Sequence, residues 1–228
     1  MSATPPFLAS PRLQRFPWPF PHDTYRYSTN VEPTFRHVET EAGGWGGRML
    51  EIDGDYQAEL AERRAILERD PSRMALLEHM RPAAWDALET VLSTLAGEYP
   101  DQMEFTRSGR ACHWVNRLLG EDRHFAIGDR SSLPGGPLGY LSTQMQEDVA
   151  LPERLHLRVE VQHLVHLPRS GAIMFLIRTH LASLAEIAAV PAWRERRGRV
   201  LAKLPQDMAE YKGIGRYPGA ASAWLLDR

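Results

Sequence analysis

The sequence predicts an α+β chain in which helices come first, an antiparallel sheet with one long hairpin occupies the middle, and helices close the chain. Three observations predict it. Apolar residues recur at helical spacing over 53–70 and 82–98, strict alternation runs through 155–181, and helical spacing returns from 183 onward.

The first 52 residues read as an irregular arm. Pro5, Pro6, Pro11, Pro17, Pro19 and Pro21 remove backbone donors and block regular pairing. Phe16, Trp18 and Phe20 alternate with these prolines, which suits an extended arm that packs its aromatics on its own body or on a partner. The glycines of 43–47 read as a flexible connection, and without the Lys and Ser/Thr of a phosphate-binding loop they do not suggest a nucleotide site.

Residues 53–228 are expected to form a single α+β domain. The stretch from Asp53 places Tyr56, Leu60, Ile66 and Leu67 near one apolar side with acids early, and Pro71 ends it. In the next helix Pro82 suits the first turn, and Trp85, Leu88, Val91, Leu92 and Leu95 fall at helical spacing. Short β-like runs follow at 103–106 and 111–119. The Gly- and Pro-rich segment 128–139 specifies turns, and its Asp129, Arg130, Ser131 and Ser132 suit a helix cap or a ligand loop.

The hairpin is the most informative segment. Leu155, Leu157, Val159, Val161, Val165 and Leu167 alternate with His156, Arg158, Glu160, Gln162 and His166. In the second strand Ile173, Phe175, Ile177, Thr179 and Leu181 share one face, and Ala172, Met174, Leu176, Arg178 and His180 the other. A turn around Pro168, Arg169, Ser170 and Gly171, with odd positions opposite odd, is expected to set Glu160 against Arg178 and Arg158 against His180. That charged stripe reads either as a solvated sheet face or as a ligand floor, because arginine is suited to bidentate carboxylate recognition. After the hairpin, 183–190 and 192–204 return to helix with Pro191 between them.

Composition narrows the function. With 228 residues, 43% of them hydrophobic, the chain can bury one substantial core, and a net charge of −2 gives no general reason to bind nucleic acid or an anionic membrane. Cys112 is the only cysteine, so the chain builds neither a disulfide framework nor a four-cysteine zinc or iron–sulfur site. A reducing cytoplasm is the simplest setting. No basic segment followed by an apolar core opens the chain and no stretch reaches membrane-span length, so a soluble, unexported protein is expected.

The nine histidines show no compact ligand motif. His163 and His166 point to opposite faces of one strand, and Cys112 diverges from His113, which excludes a dyad of neighbours. Gln146, Glu147 and Asp148 put two carboxylates side by side before the hairpin. An inward one of these could take a proton or hold an ammonium, and an outward one is plain surface.

The order of 51–67, then 145–149, then 151–181 and 204–213 closely resembles the haem-dependent oxidative N-demethylase family, in its haem-carrying α subunit. The resemblance implies a PAS-like sheet that binds haem b and oxidatively demethylates a small secondary amine such as dimethylamine, releasing formaldehyde in a monooxygenase-like reaction. It also implies a hetero-oligomer in which reductase-type subunits pass electrons from NADPH through FMN and a 2Fe–2S cluster. Arg158, Glu160, Gln162, Arg178 and Thr179 match the family's hairpin and are expected beside the cofactor. Gln146, Glu147 and Asp148 match the segment entering the same sheet, as substrate or cavity support.

The chain departs from the family at one place. Family members continue from the Gln-Glu-Asp motif through a long segment that supplies central strands and a His-Gly-Pro-Val-Pro-like piece, the family's expected source of the axial histidine. Here Asp148 is followed almost at once by Leu151, Pro152, Glu153 and Arg154. The sheet is therefore expected to be incomplete, and no histidine of this chain is assigned to iron by matching. An internally deleted, non-catalytic ligand-binding or subunit-interaction protein is the alternative function.

Overall fold

A computed structural model describes residues 10–26, 31–129, 136–137 and 151–227. In chain order the elements are α1 (Pro11–Gln14), β1 (His37–Thr40), β2 (Gly43–Gly46), α2 (Tyr56–Arg69), β3 (Met74–Ala75), α3 (Arg81–Glu98), β4 (Met103–Ser108), β5 (Ala111–Asn116) and β6 (Glu121–Ala126). They continue with β7 (Gly136–Pro137), α4 (Leu151–Arg154), β8 (His156–His166), β9 (Ile173–Ser183), α5 (Leu184–Ala188), α6 (Pro191–Ala202), α7 (Gln206–Tyr211) and α8 (Pro218–Leu226). This is an α+β chain with small, separate antiparallel sheets, in agreement with the expected class. Among the described residues no helix is long and apolar enough to cross a membrane.

The chain divides into two compact units, and the β8–β9 hairpin contributes its base to one and its tip to the other. The first unit comprises Met1–Gly47, Thr143–Val161 and Ile177–Arg228. Its core joins Leu13, Phe16, Leu157, Ala182, Ile187, Val190 and Trp193, with Trp18 and Phe20 packed against them. Trp193 is fully buried and stacks on Trp18 at 4.7 Å, so the aromatics of the proline-rich arm pack on helix α6 of their own chain. The indole of Trp193 donates to Glu41 at 2.7 Å, which satisfies its one polar atom.

A second cluster, Leu184, Leu201, Ala221 and Leu225, welds α5, α6 and α8 together. Helix α5 starts at a capping box in which Ser183 and Glu186 exchange hydrogen bonds with each other's backbone. The glycine-rich stretch forms strand β2 rather than a connection. Gly46 takes a φ of +78°, and a Cβ there would lie 2.5 Å from the Arg36 carbonyl oxygen, so only glycine lets this ribbon close.

The second unit comprises Arg48–Ser142 and Gln162–Leu176. Strands β4, β5 and β6 form a meander with β5 in the middle. Met103 and Trp114 on its inner face meet Leu92 of α3 in the core. Glu98 at the end of α3 accepts from the backbone N–H groups of Met49 and Leu50, and the Tyr99 hydroxyl donates to the Leu50 carbonyl. Buried Asn116 donates to the Tyr56 hydroxyl at 3.0 Å, which brings α2 onto the sheet.

The hairpin register differs from the expected one. Leu167 N–H donates to the Ala172 carbonyl at the tip, and Leu184 N–H donates to the Leu155 carbonyl at the base. Both bonds set odd positions of β8 against even positions of β9, so Glu160 faces Thr179 and Val161 faces Arg178. The predicted pairs Glu160–Arg178 and Arg158–His180 therefore do not form, and the charged stripe is split between two faces. The cause lies in the turn. Four residues, 168–171, separate the closing pair, and Gly171 at φ +69° allows that closure. Leu157 and Leu167 then share the covered face with Ala172 and Ala182, while Ile173, Phe175, Ile177 and Leu181 are left on the exposed one.

The turn is held from α3. Asp86, only 3% exposed, accepts from the backbone N–H groups of Arg169 (3.0 Å) and Ser170 (2.7 Å), from the Ser170 hydroxyl (2.9 Å) and from Arg169 Nε (3.3 Å). Burial opposes the charge of Asp86, but the bonds from Ser170 and Arg169 more than offset it and hold the carboxyl below the usual carboxylate range.

Candidate functional site

The first unit contains a cleft of about 380 Å³ formed where α4, α5, α6 and α8 come together. Pro152 and Glu153 come from α4, Ala185 and Ala188 from α5 with Ala189 at its end, Arg194 from α6 and Trp224 from α8. Small residues on α5 leave the space, and Trp224 supplies an aromatic wall. Glu153 and Arg194 bring opposite charges to it. The Nε of Arg194 is buried and has no hydrogen-bond partner among the described residues. Its volume is in the range of small-ligand sites. Glu153 with the Trp224 ring suits an ammonium, and Arg194 suits a carboxylate.

Helix α6 carries four arginines with different duties. Arg194 lines the cleft, while Arg196 donates to Glu41 at 3.0 Å and Arg199 to Asp23 at 2.8 Å, which fastens the N-terminal arm. Arg197 lies over the Phe20 ring at 4.9 Å, and burial pushes its guanidinium down to about 10. Glu41 feels burial as well, yet its own backbone N–H, the Trp193 indole and Arg196 hold its carboxyl below the ordinary value.

The hairpin residues expected at the cofactor fall into two sets. Arg158 and Glu160 form an ion pair on the outer side of β8, and Thr179 lies opposite Glu160 on that side. Gln162 follows on the same side of β8 and is exposed. Arg178 lies on the covered side with Val161. Gln146, Glu147 and Asp148 lie outside the described residues. Arg158, Glu160, Gln162, Arg178 and Thr179 do not line the cleft.

Haem requires an axial donor to iron, from His, Cys, Met or Tyr, together with partners for its propionates. Arg194, with its buried unmatched Nε, answers the second need. The first is not met among the described residues of the cleft, where Pro152, Glu153, three alanines, Arg194 and Trp224 provide no such donor. All nine histidines and Cys112 lie among the described residues and elsewhere in the chain. The described lining of the cleft therefore does not fit haem.

Sequence reasoning missed the cleft residues, because Arg194 is one of several arginines in a polar-looking helix and the alanines of α5 read as ordinary helix. It also missed a cluster on the meander, where His113, Asp122 and His124 gather their ligand atoms within 4.8 Å of one another. The available signal was the Asp122-x-His124 spacing, which puts both side chains on one face of a strand.

A family model described as haem-dependent oxidative N-demethylase, alpha subunit-like, matches the chain over residues 45–154 and 150–221. The two matched stretches meet at 150–154, beside the place where the sequence departs from the family. The description as an alpha subunit implies a complex of several subunits.

Proposed function

Because this chain belongs to the haem-dependent oxidative N-demethylase, alpha subunit-like family, we propose that it serves the removal of a methyl group from a small secondary amine such as dimethylamine, giving a primary amine and formaldehyde. In this reading O2 is the oxidant, and reductase-type partner subunits deliver electrons from NADPH through FMN and a 2Fe–2S cluster. The observation that carries it is the family match, which covers the helical segment and the β8–β9 hairpin alike. Haem b supplies the oxygen chemistry when bound.

The chain's own contribution is recognition. Glu153 pairs with a substrate ammonium, the Trp224 face receives its methyl groups, and the alanines of α5 keep the space small. Arg194 holds an anionic group at the same cleft.

The donor set of the cleft and the junction at 150–154 favour a second reading, in which the chain keeps helices and hairpin but has lost the iron-ligating segment. It then acts as a non-catalytic ligand-binding or subunit-interaction protein. Formaldehyde release separates the two. The chain, purified together with the subunits it assembles with, is given NADPH, O2 and dimethylamine. Amine-dependent formaldehyde, with a raised KM in Glu153→Gln, supports demethylation; a complex that forms and releases none establishes the second reading.

A further inference from the structure

We propose that the solvent face of the β4–β5–β6 meander carries a divalent transition-metal site made by His113, Asp122 and His124. Strand geometry brings the three together. His113 of β5 and His124 of β6 are direct cross-strand partners, so their side chains leave the sheet on the same side. Asp122 precedes His124 by two residues and shares that face. The opposite face holds Met103, Cys112, Trp114 and Asn116, all buried, so the three candidate ligands stand on the wet side of a sheet fixed by its core.

The distances are close to those a metal needs. His113 Nε2 lies 2.8 Å from Asp122 Oδ1, and His124 Nε2 lies 3.9 Å from the same oxygen. Donors at about 2.0–2.2 Å from a tetrahedral zinc stand roughly 3.3 Å apart. His124 has to come in, and His113 to move off Asp122, by about half an ångström each. The imidazoles are stacked with centroids 4.1 Å apart and planes 5° from parallel, so one ring must turn for both nitrogens to converge. Both are on the surface, with His113 34% and His124 77% exposed, and such a rotation meets no packed core.

The donor chemistry selects the ion. Two imidazoles and one carboxylate suit zinc, nickel or copper, while magnesium and calcium prefer oxygen ligands alone. Three protein ligands leave the remaining positions to water. Glu104, a further acid on this face by register, is engaged by Arg117 and stays outside the set. Such an ion would staple β5 to β6 at the surface.

Calorimetric titration of zinc into the tag-free full chain tests the site. One saturable zinc per chain is expected, weakened at least about tenfold by His113→Ala or by His124→Ala and also reduced by Asp122→Asn. In the unaltered protein, zinc should shift the imidazole nitrogen resonances of His113 and His124 together and leave the other histidines in place. Magnesium should produce neither effect. Zinc affinity unchanged in the His113→Ala/His124→Ala double variant, or resonance shifts confined to other histidines, would overturn the proposal.

Discussion

Replacing Asp86 tests how the hairpin is held, because one carboxylate accepts four bonds from Arg169 and Ser170, while Arg169 also reaches Glu89. Arg169 is half exposed, so its side-chain link counts for little. The two backbone N–H groups and the Ser170 hydroxyl dominate. Leaving such partly buried donors unmatched costs on the order of 1–3 kcal/mol each, less what water recovers. For Asp86→Ala we expect a loss of about 3 kcal/mol in urea unfolding at neutral pH. Asp86→Asn should lose about 2 kcal/mol, since its amide turns donors toward donors. Amide exchange at Arg169 and Ser170 should accelerate in both variants.

The pH dependence carries the sign. A carboxyl held below its unfolded value of about 3.9 stabilises the fold fully above that pH, and the contribution is lost as pH falls through the lower folded value. The gap between wild type and Asp86→Asn should stay level from neutral pH down to about 5 and close in stronger acid. Variants as stable as wild type at pH 7, with unchanged exchange at the turn, would refute this reasoning.

Other substitutions probe the rest of the molecule. Trp193→Ala should cost about 3–5 kcal/mol and release the N-terminal arm, read as a red shift of the Trp18 emission, because the indole fills the centre of the first unit's core. Arg197→Met should be neutral or stabilise by about 1–2 kcal/mol in the same urea assay, since the guanidinium is desolvated and keeps mainly its contact with Phe20. Burial, and then the charge of Glu89, push the Cys112 thiol above its ordinary value, so native protein should react with a thiol reagent at neutral pH far more slowly than urea-unfolded protein.

The two kinds of element differed in how well they could be read from sequence. Helix α3 was legible because Pro82, Trp85 and Leu92 combine a start signal with a stripe, and the stripe is what the core uses. The two hairpin strands were legible from alternation alone, but their faces were not. Both strands alternate, and either register leaves a plausible surface; the four-residue turn and its anchorage on Asp86 decide between them. Strand β6 escaped because both of its faces are polar at Glu121, Asp122, Arg123 and His124, which erases the period-2 signal. The cleft was invisible for another reason. Nothing local distinguishes Arg194 from Arg196 or Arg199, and only the packing of α5 and α8 leaves one Nε buried and the others in ion pairs.

The measurement that bears most directly on the function is the absorption spectrum of the full chain titrated with haem b. A saturable, one-to-one change in the Soret band that survives gel filtration is expected. A titration that reproduces the spectrum of haem in buffer, from a chain shown to be folded, would contradict the proposed demethylase role and leave the non-catalytic reading in its place.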